Sequence, residues 1–289
     1  MAVHFQHLTV IGVGLIGGSL AMALRERGSV ERIIGVGRGL KNLERAKELG
    51  IIDSFSHDPK EGSRGADLVV VATPVRAIPT IIKQIAPELR DGTLITDVGS
   101  VKQRIMEEVE SFLHPGLYFV GGHPLAGMER SGAEAASARL FQGSKCILTP
   151  SANTNPEALE KVTSIWKESG MEVVLMDAQR HDRIVGVISH LPHIVASGLV
   201  HAIEGLPETP EELLSYAAGG FNDTTRVASS HPEIWRDICL WNREAVLEAI
   251  SQFELSLGKL KRLIEEEDQA GLLKELEEAK KLRDQLKRY

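Results

Sequence analysis

Gly12-Val13-Gly14-Leu15-Ile16-Gly17 stands between an apolar run, Leu8-Thr9-Val10-Ile11, and a helix-compatible stretch over 19–27. Strand, glycine turn and helix in that order open a dinucleotide-binding βαβ unit. The first glycine permits the tight turn and the second lets backbone approach a pyrophosphate. The third lets the helix pack closely on the strand, so that its positive N-terminus faces the phosphates. Gly12, Gly14, Leu15, Ile16 and Gly17 are therefore the expected phosphate cradle. The bland alternative is a chance glycine turn, and the flanking strand and helix argue against it.

Working outward, 31–36 reads as a second strand. A dinucleotide site specific for NAD carries an acidic residue about twenty positions past the glycine loop, on the ribose 2′-hydroxyl. Here that place holds Gly37, followed by Arg38, with Lys41 close by. A missing acid beside a planar cation suits a 2′-phosphate, so the reading favours NADP over NAD. A helix over 42–49 follows, then a continuous apolar strand over 67–72 that stops at Thr73-Pro74, where a helix running through 85 begins. Another strand over 94–97 leads into Val98-Gly99-Ser100, with Ser100 placed to cap a helix from 101. Strands alternating with helices imply a Rossmann-type, doubly wound parallel sheet, with ligands at the carboxyl ends of its strands. Thr73, Pro74, Gly99 and Ser100 should edge the nicotinamide pocket.

The strand over 117–120 runs into a glycine-rich loop, Gly121 to Gly127, that carries His123. An imidazole there can take a proton from an alcohol as hydride leaves, or can merely bond backbone to hold the loop. Two more strands, over 145–149 and 172–176, flank a helix over 157–167 that Asn155-Pro156 should cap. The cofactor domain is thus expected over 1–177 and an all-α domain over 178–289. In the latter, Leu191, Ile194, Val195, Gly198, Leu199, Ala202 and Ile203 trace one apolar helical face. His193, Ser197 and His201 recur every fourth residue beside it, but no carboxylate completes a metal set, and no metal is expected. Thr209-Pro210-Glu211-Glu212 is a capping box, and the helix it starts should end near Gly219-Gly220. Arg226 follows in a polar turn. Trp235, Ile238, Trp241, Ala245, Ala249, Phe253 and Leu257 line one long helix; Leu272, Leu276, Ala279, Leu282 and Leu286 line another. Such stripes are core or interface, and they point to a helical homodimer core.

The chain has 289 residues, a formal net charge of −7 and no basic run, so nucleic acid and anionic membrane are not expected partners. No stretch reads as long enough to span a membrane, and no signal peptide is expected, because Met1-Ala2-Val3-His4 leads straight into the first strand. Cys146 and Cys239 form no framework, which fits a reducing, cytoplasmic setting with both thiols buried rather than reactive.

The blocks Gly12 to Ser19, Asp97-Val98-Gly99-Ser100-Val101-Lys102 and Gly122-His123-Pro124-Leu125-Ala126-Gly127 resemble the prephenate and arogenate dehydrogenases of tyrosine biosynthesis. Later blocks agree: Ser189-His190-Leu191-Pro192-His193, Gly220-Phe221-Asn222-Asp223-Thr224-Thr225-Arg226 and Trp235-Arg236-Asp237. The resemblance implies an NAD(P)-dependent oxidoreductase in which His123 bonds the C4 hydroxyl of prephenate as hydride leaves C4. The ring carboxylate then departs as CO2 and the ring becomes aromatic. By the same match Ser100 helps hold the hydroxyl and His123, His193 and Arg226 bind substrate, and Glu129 and Asp182 lie near the pocket entrance. Arg226 can clamp one of the two substrate carboxylates in a fixed fork. One position departs: Asn222 stands where the family can have Lys. Arogenate, with an amino group in place of the keto group, is the alternative substrate. The more distant alternatives are a β-hydroxyacid dehydrogenase, which would rely on a Lys in the helical domain, and a non-catalytic dinucleotide sensor. No added regulatory domain, of the kind some members of that family carry, is expected after the helical tail.

Overall fold

β-Branched and leucine-rich runs form the centre of a sheet. In the computed structural model, which describes residues 3–127 and 132–286, β1 (Phe5–Ile11) is followed by α1 (Leu15–Glu26), β2 (Val30–Val36), α2 (Leu40–Glu48), β3 (Ser54–Ser56) and α3 (Pro59–Ser63). Next come β4 (Leu68–Val71), α4 (Ala77–Ile85), β5 (Leu94–Asp97), α5 (Gln103–Glu110), β6 (Tyr118–Pro124), β7 (Lys145–Thr149), α6 (Pro156–Glu168) and β8 (Glu172–Leu175). The strands lie side by side in the order β3-β2-β1-β4-β5-β6-β7-β8. Successive β4 side chains point to opposite faces, and each face has its own core. Leu68 and Val70 pack with Leu20 and Leu24 of α1, Leu43 of α2 and Trp166 of α6. Val69 and Val71 pack with Ile78, Ile82 and Ile85 of α4 and Ile105 and Val109 of α5. This is the expected doubly wound arrangement.

The sheet is parallel only as far as β6. β7 runs antiparallel to β6, and β8 parallel to β7. A parallel return needs a crossover of a dozen or more residues, usually a helix. Among the described residues between β6 and β7, a 3-10 turn at Ala133–Ala135 is the one helical piece. Two local expectations change as well, and two short elements are additions. β3 and α3 are too short and polar to show as periodic runs. α4 starts at Ala77, after a turn in which Ala77 donates to the Pro74 carbonyl at 2.9 Å. β6 continues through Pro124, so His123 lies in a strand, opposite Ile147 of β7, rather than in a glycine loop. Asn155 caps α6 as expected, its side chain accepting from Ala158 N at 3.0 Å.

Beyond β8 the chain is helical: α7 (Ala178–Val185), a π turn (Gly186–His190), α8 (Leu191–Ala202), α9 (Pro210–Ser215), α10 (Gly219–Thr225), α11 (Pro232–Trp241), α12 (Arg243–Glu265) and α13 (Gln269–Arg283). Thr209 caps α9 through Glu212 N at 3.2 Å. α9 stops at Ser215 and Gly219 begins α10, so Arg226 caps a helix instead of sitting in a polar turn. The single long helix expected from Trp235 to Leu257 is two, divided at Asn242. The expectation about membrane length also needs correcting. Pro192 breaks the apolar pattern in the sequence but not the helix, and Ala178–Gly205 runs on long and apolar enough to cross a membrane by length and composition. That same run buries His181, Asp182 and His190. Nor is the apolar face of α8 buried within the chain: Ala196 is its one buried residue, and Leu199 is exposed.

By internal contacts the chain forms two compact units, 1–242 and 243–289. In the second, Asp268 caps α13 through Gly271 N at 2.9 Å, and Lys259 of α12 pairs with Glu275 of α13. Leu276, Leu282 and Leu286, expected in a core or an interface, are exposed in the single chain.

Candidate active site

The glycine loop has the shape that a dinucleotide needs. Gly12 adopts φ +100, and a Cβ there would fall 2.3 Å from the Ala72 carbonyl oxygen at the end of β4. A Cβ on Gly17 would lie 2.4 Å from the Gly12 oxygen, so the helix can approach the loop only without one. Gly14, by contrast, faces open space and is the N-cap of α1, where no side chain takes up the first N–H groups. An anion is the natural partner of such an end. Leu15 and Ile16 open the helix. Thr73, at the carboxyl end of β4, keeps a buried Oγ1 with no hydrogen-bond partner, while Pro74 is exposed. An orphaned hydroxyl beside an anion-ready helix end fits a bound dinucleotide. Arg38 is exposed just past the end of β2, next to Gly37.

A chain of polar side chains lies at the ends of β5 and β6. Asp97 closes β5, and its carboxylate accepts Gly99 N at 2.8 Å and Gly122 N at 3.1 Å. Lys102, fully buried, pairs with Asp97 and donates to the Gly122 carbonyl at 2.8 Å. Burial pulls the Lys102 ammonium below its usual range, against the attraction of Asp97. Together the pair ties the end of β5, the turn after it and Gly122 of β6 into one piece. Gly122 has no room for a Cβ, which would meet the Asp97 carbonyl oxygen at 2.9 Å. His123 is the next residue.

His123 Nδ1 lies 2.7 Å from Nε2 of His181, whose Nδ1 is 2.7 Å from Asp182 Oδ1. Asp182 also accepts the backbone N–H groups of Lys102 at 2.8 Å and Gln103 at 3.0 Å. Asp182 therefore caps α5 from another helix, the role expected of Ser100. Ser100 is half-buried and, among the described residues, has no side-chain hydrogen bond, to His123 or to the helix. Nor is Asp182 an entrance or helix-start charge: it is buried, and Asp177 caps α7 through Arg180 N. Asn242, at the break between α11 and α12, donates to the Asp182 carbonyl at 2.8 Å and lies 3.0 Å from His190 Nδ1. Burial lowers the His190 imidazole to about 4 and that of His123 well below 6.5; for His123 the neighbouring His181, Lys102 and His190 add to the effect.

A cavity of about 420 Å³ opens nearby among the helices, and its lining includes His193, Ser197, Val227, Trp235, Arg236 and Cys239. His193 stacks on Trp235 with centroids 3.3 Å apart and donates from Nδ1 to the Ser189 carbonyl at 3.0 Å. Of the expected substrate residues, His193 lines this cavity, while Arg226 is exposed on the residue before Val227, one of its walls. Glu129 lies outside the described residues. Cys146 is buried, with its thiol pushed well up by burial, and Cys239 is half-buried in the cavity wall.

Sequence reasoning missed His181 and treated Trp235 as a packing residue. His181 follows no glycine or proline and has no ligand spacing. The one available signal was its place beside Asp182, in a helix already capped by Asp177.

Two family models match the chain: the nucleotide-binding domain of prephenate dehydrogenase over residues 20–175 and the dimerization domain of prephenate dehydrogenase over 177–278. The chain is 37% identical over 280 residues to prephenate dehydrogenase of Bacillus subtilis, covering 96% of this chain and 76% of that one. It is also 37% identical over 286 residues to cyclohexadienyl dehydrogenase of Zymomonas mobilis, covering 98% and 97%. Among solved structures, prephenate dehydrogenase from A. aeolicus in complex with hydroxyphenyl propionate and NAD+ superposes with a TM-score of 0.93 at 39% identity, covering 99% of this chain and 100% of that one. Arogenate dehydrogenase of Synechocystis follows at 0.82 and 32%, covering 96% and 99%. The chain thus belongs to the prephenate dehydrogenase family of nicotinamide-dependent oxidoreductases.

Proposed function

We propose that this chain catalyses the NAD(P)+-dependent oxidative decarboxylation of prephenate to 4-hydroxyphenylpyruvate, a step of tyrosine biosynthesis. The observation that carries the reading is His123, held in a strand at the carboxyl end of the sheet by a buried histidine–carboxylate chain. The nicotinamide, when bound, supplies the hydride acceptor. Gly12, Gly14, Leu15, Ile16 and Gly17 hold its pyrophosphate, and Thr73, Pro74 and Ser100 edge its ring. His123 takes the proton of the C4 hydroxyl as C4 gives up hydride. Loss of the C1 carboxylate as CO2 then sends an electron pair into the ring, and the phenolate oxygen takes the proton back from His123. No net proton is consumed. A neutral imidazole suits both transfers, and aromatisation drives the sequence.

Arg226 and His193 supply the substrate's other contacts, Arg226 as the partner of a carboxylate. Glu129 and Ser100 are candidates for the entrance and the hydroxyl. The functional division runs at 177/178, with the dinucleotide before it and most substrate contacts after it. Arg38 with no acid at the end of β2 favours NADP over NAD. The NAD+ in the A. aeolicus structure makes NAD the second reading. The exposed apolar side chains of the helical part support a homodimer, and two free cysteines suit the cytoplasm.

Arogenate is the alternative substrate, and Asn222, where the family can have Lys, bears on how a second carboxylate or an amino group is read. Steady-state kinetics on prephenate and arogenate, each with NAD+ and NADP+, test the proposal. Prephenate and NADP+ are expected to give the highest kcat/KM. A hundredfold preference for arogenate, or for NAD+, would reverse that part of the reading.

A further inference from the structure

Asp182 decides where the protons lie in the chain that ends at His123. Its two oxygens receive the backbone N–H groups of Lys102 and Gln103. A peptide nitrogen can only donate, so both oxygens act as acceptors. Oδ1 also meets His181 Nδ1 at 2.7 Å, where a nitrogen lone pair would face a carboxylate lone pair. His181 Nδ1 therefore carries a hydrogen. Burial holds the His181 imidazole below its ordinary value, against the pull of Asp182. The ring is neutral at neutral pH, and its Nε2 is a bare lone pair. That lone pair lies 2.7 Å from His123 Nδ1, which must in turn donate. Only one nitrogen of His123 is then left to accept.

We propose that His181, oriented by Asp182, is a positioning residue that fixes His123 as the Nδ1–H tautomer and leaves Nε2 as the base that meets the substrate hydroxyl. The inference rests on the reading of His123 as the base and adds the device that aims it. Without an acceptor beside Nδ1, the two neutral tautomers compete. The Nε2–H form can donate to an alcohol oxygen but cannot take its proton. The same carboxylate that sets the tautomer also caps α5, so the proton order of the site is tied to the packing of α7 on the sheet.

The test is nitrogen-15 NMR of the histidine-labelled full chain at neutral pH, which separates pyridine-type from pyrrole-type ring nitrogens. The His123 signals are identified by their loss in His123→Asn. In the wild type, His123 should show a pyrrole-type Nδ1 and a pyridine-type Nε2. His181→Phe keeps a ring of similar shape but removes the acceptor. It should lower kcat on prephenate by about 100-fold or more, leave the KM for cofactor unchanged and erase the pyrrole-type Nδ1 signature. His181→Gln, whose amide oxygen can accept, should recover at least about tenfold of that loss. A pyrrole-type Nε2 in the wild type overturns the proposal whether or not prephenate is turned over, and so does an unchanged kcat in His181→Phe. Full turnover in His123→Asn would instead remove the reading of His123 as the base. Should His181→Phe fail to fold, the wild-type spectrum alone decides.

Discussion

His123 and its neighbours illustrate how burial sets the working state of a single side chain. Desolvation disfavours imidazolium, and the nearby His181, Lys102 and His190 push the same way, so the His123 imidazole titrates well below 6.5. A base must be neutral to accept, so activity is present above that titration and is lost as pH falls through it. The acid limb of the pH profile of kcat/KM should therefore lie well below 6.5, and measuring it with prephenate checks this; a limb at or above 6.5 would mean that His123 is not held as described. The motif Gly122-His123-Pro124 was legible in the sequence because a histidine next to glycine and proline near a strand end stands out. Its partner His181 was not, since nothing in a helix pattern marks a residue that bonds across to another element. Asp182 was noticed and misplaced for the same reason. Whether a carboxylate is solvated or buried depends on which elements pack over it.

At the level of elements, the ends of β5 and β6 and the start of α5 are joined by a few buried polar groups. Lys102 pairs with Asp97 and bonds Gly122, and Asp182 caps α5. A buried ion pair adds little net stability, but removing one partner strands the other charge. Lys102→Met should lower the unfolding free energy in a urea titration by about 3–5 kcal/mol. A loss under about 1 kcal/mol would show that the pair is not the buried tie described here. The strands and helices around this knot were largely legible, because apolar β-branched runs and capping residues report local structure. The turning of β7 against β6 was not, since strand direction is set by the connection and not by the strand's own residues. The break at Asn242 is not legible either: the apolar stripe runs straight across it, and the bond from Asn242 to the Asp182 carbonyl joins residues 60 positions apart.

For the whole molecule, the apolar surface is the feature one chain leaves unexplained. Leu199 and Leu240 in the first unit and Leu255, Leu276 and Leu282 in the second are all exposed, and exposed large apolar side chains in such number suit an interface. Light scattering on the purified protein should give twice 31.6 kDa, and a monomer at micromolar concentration would leave those stripes without the proposed partner. The helical stripes were visible in the sequence, whereas their division between core and interface required the fold. The central claim is oxidative decarboxylation of prephenate with His123 as base, and the most direct measurement follows reduced cofactor and CO2 together from prephenate. The account predicts one CO2 for each NAD(P)H formed by the wild type, and in His123→Asn a fall in both by about 100- to 10,000-fold with cofactor binding intact. Cofactor reduction without CO2, or a His123→Asn variant as fast as the wild type, would contradict it.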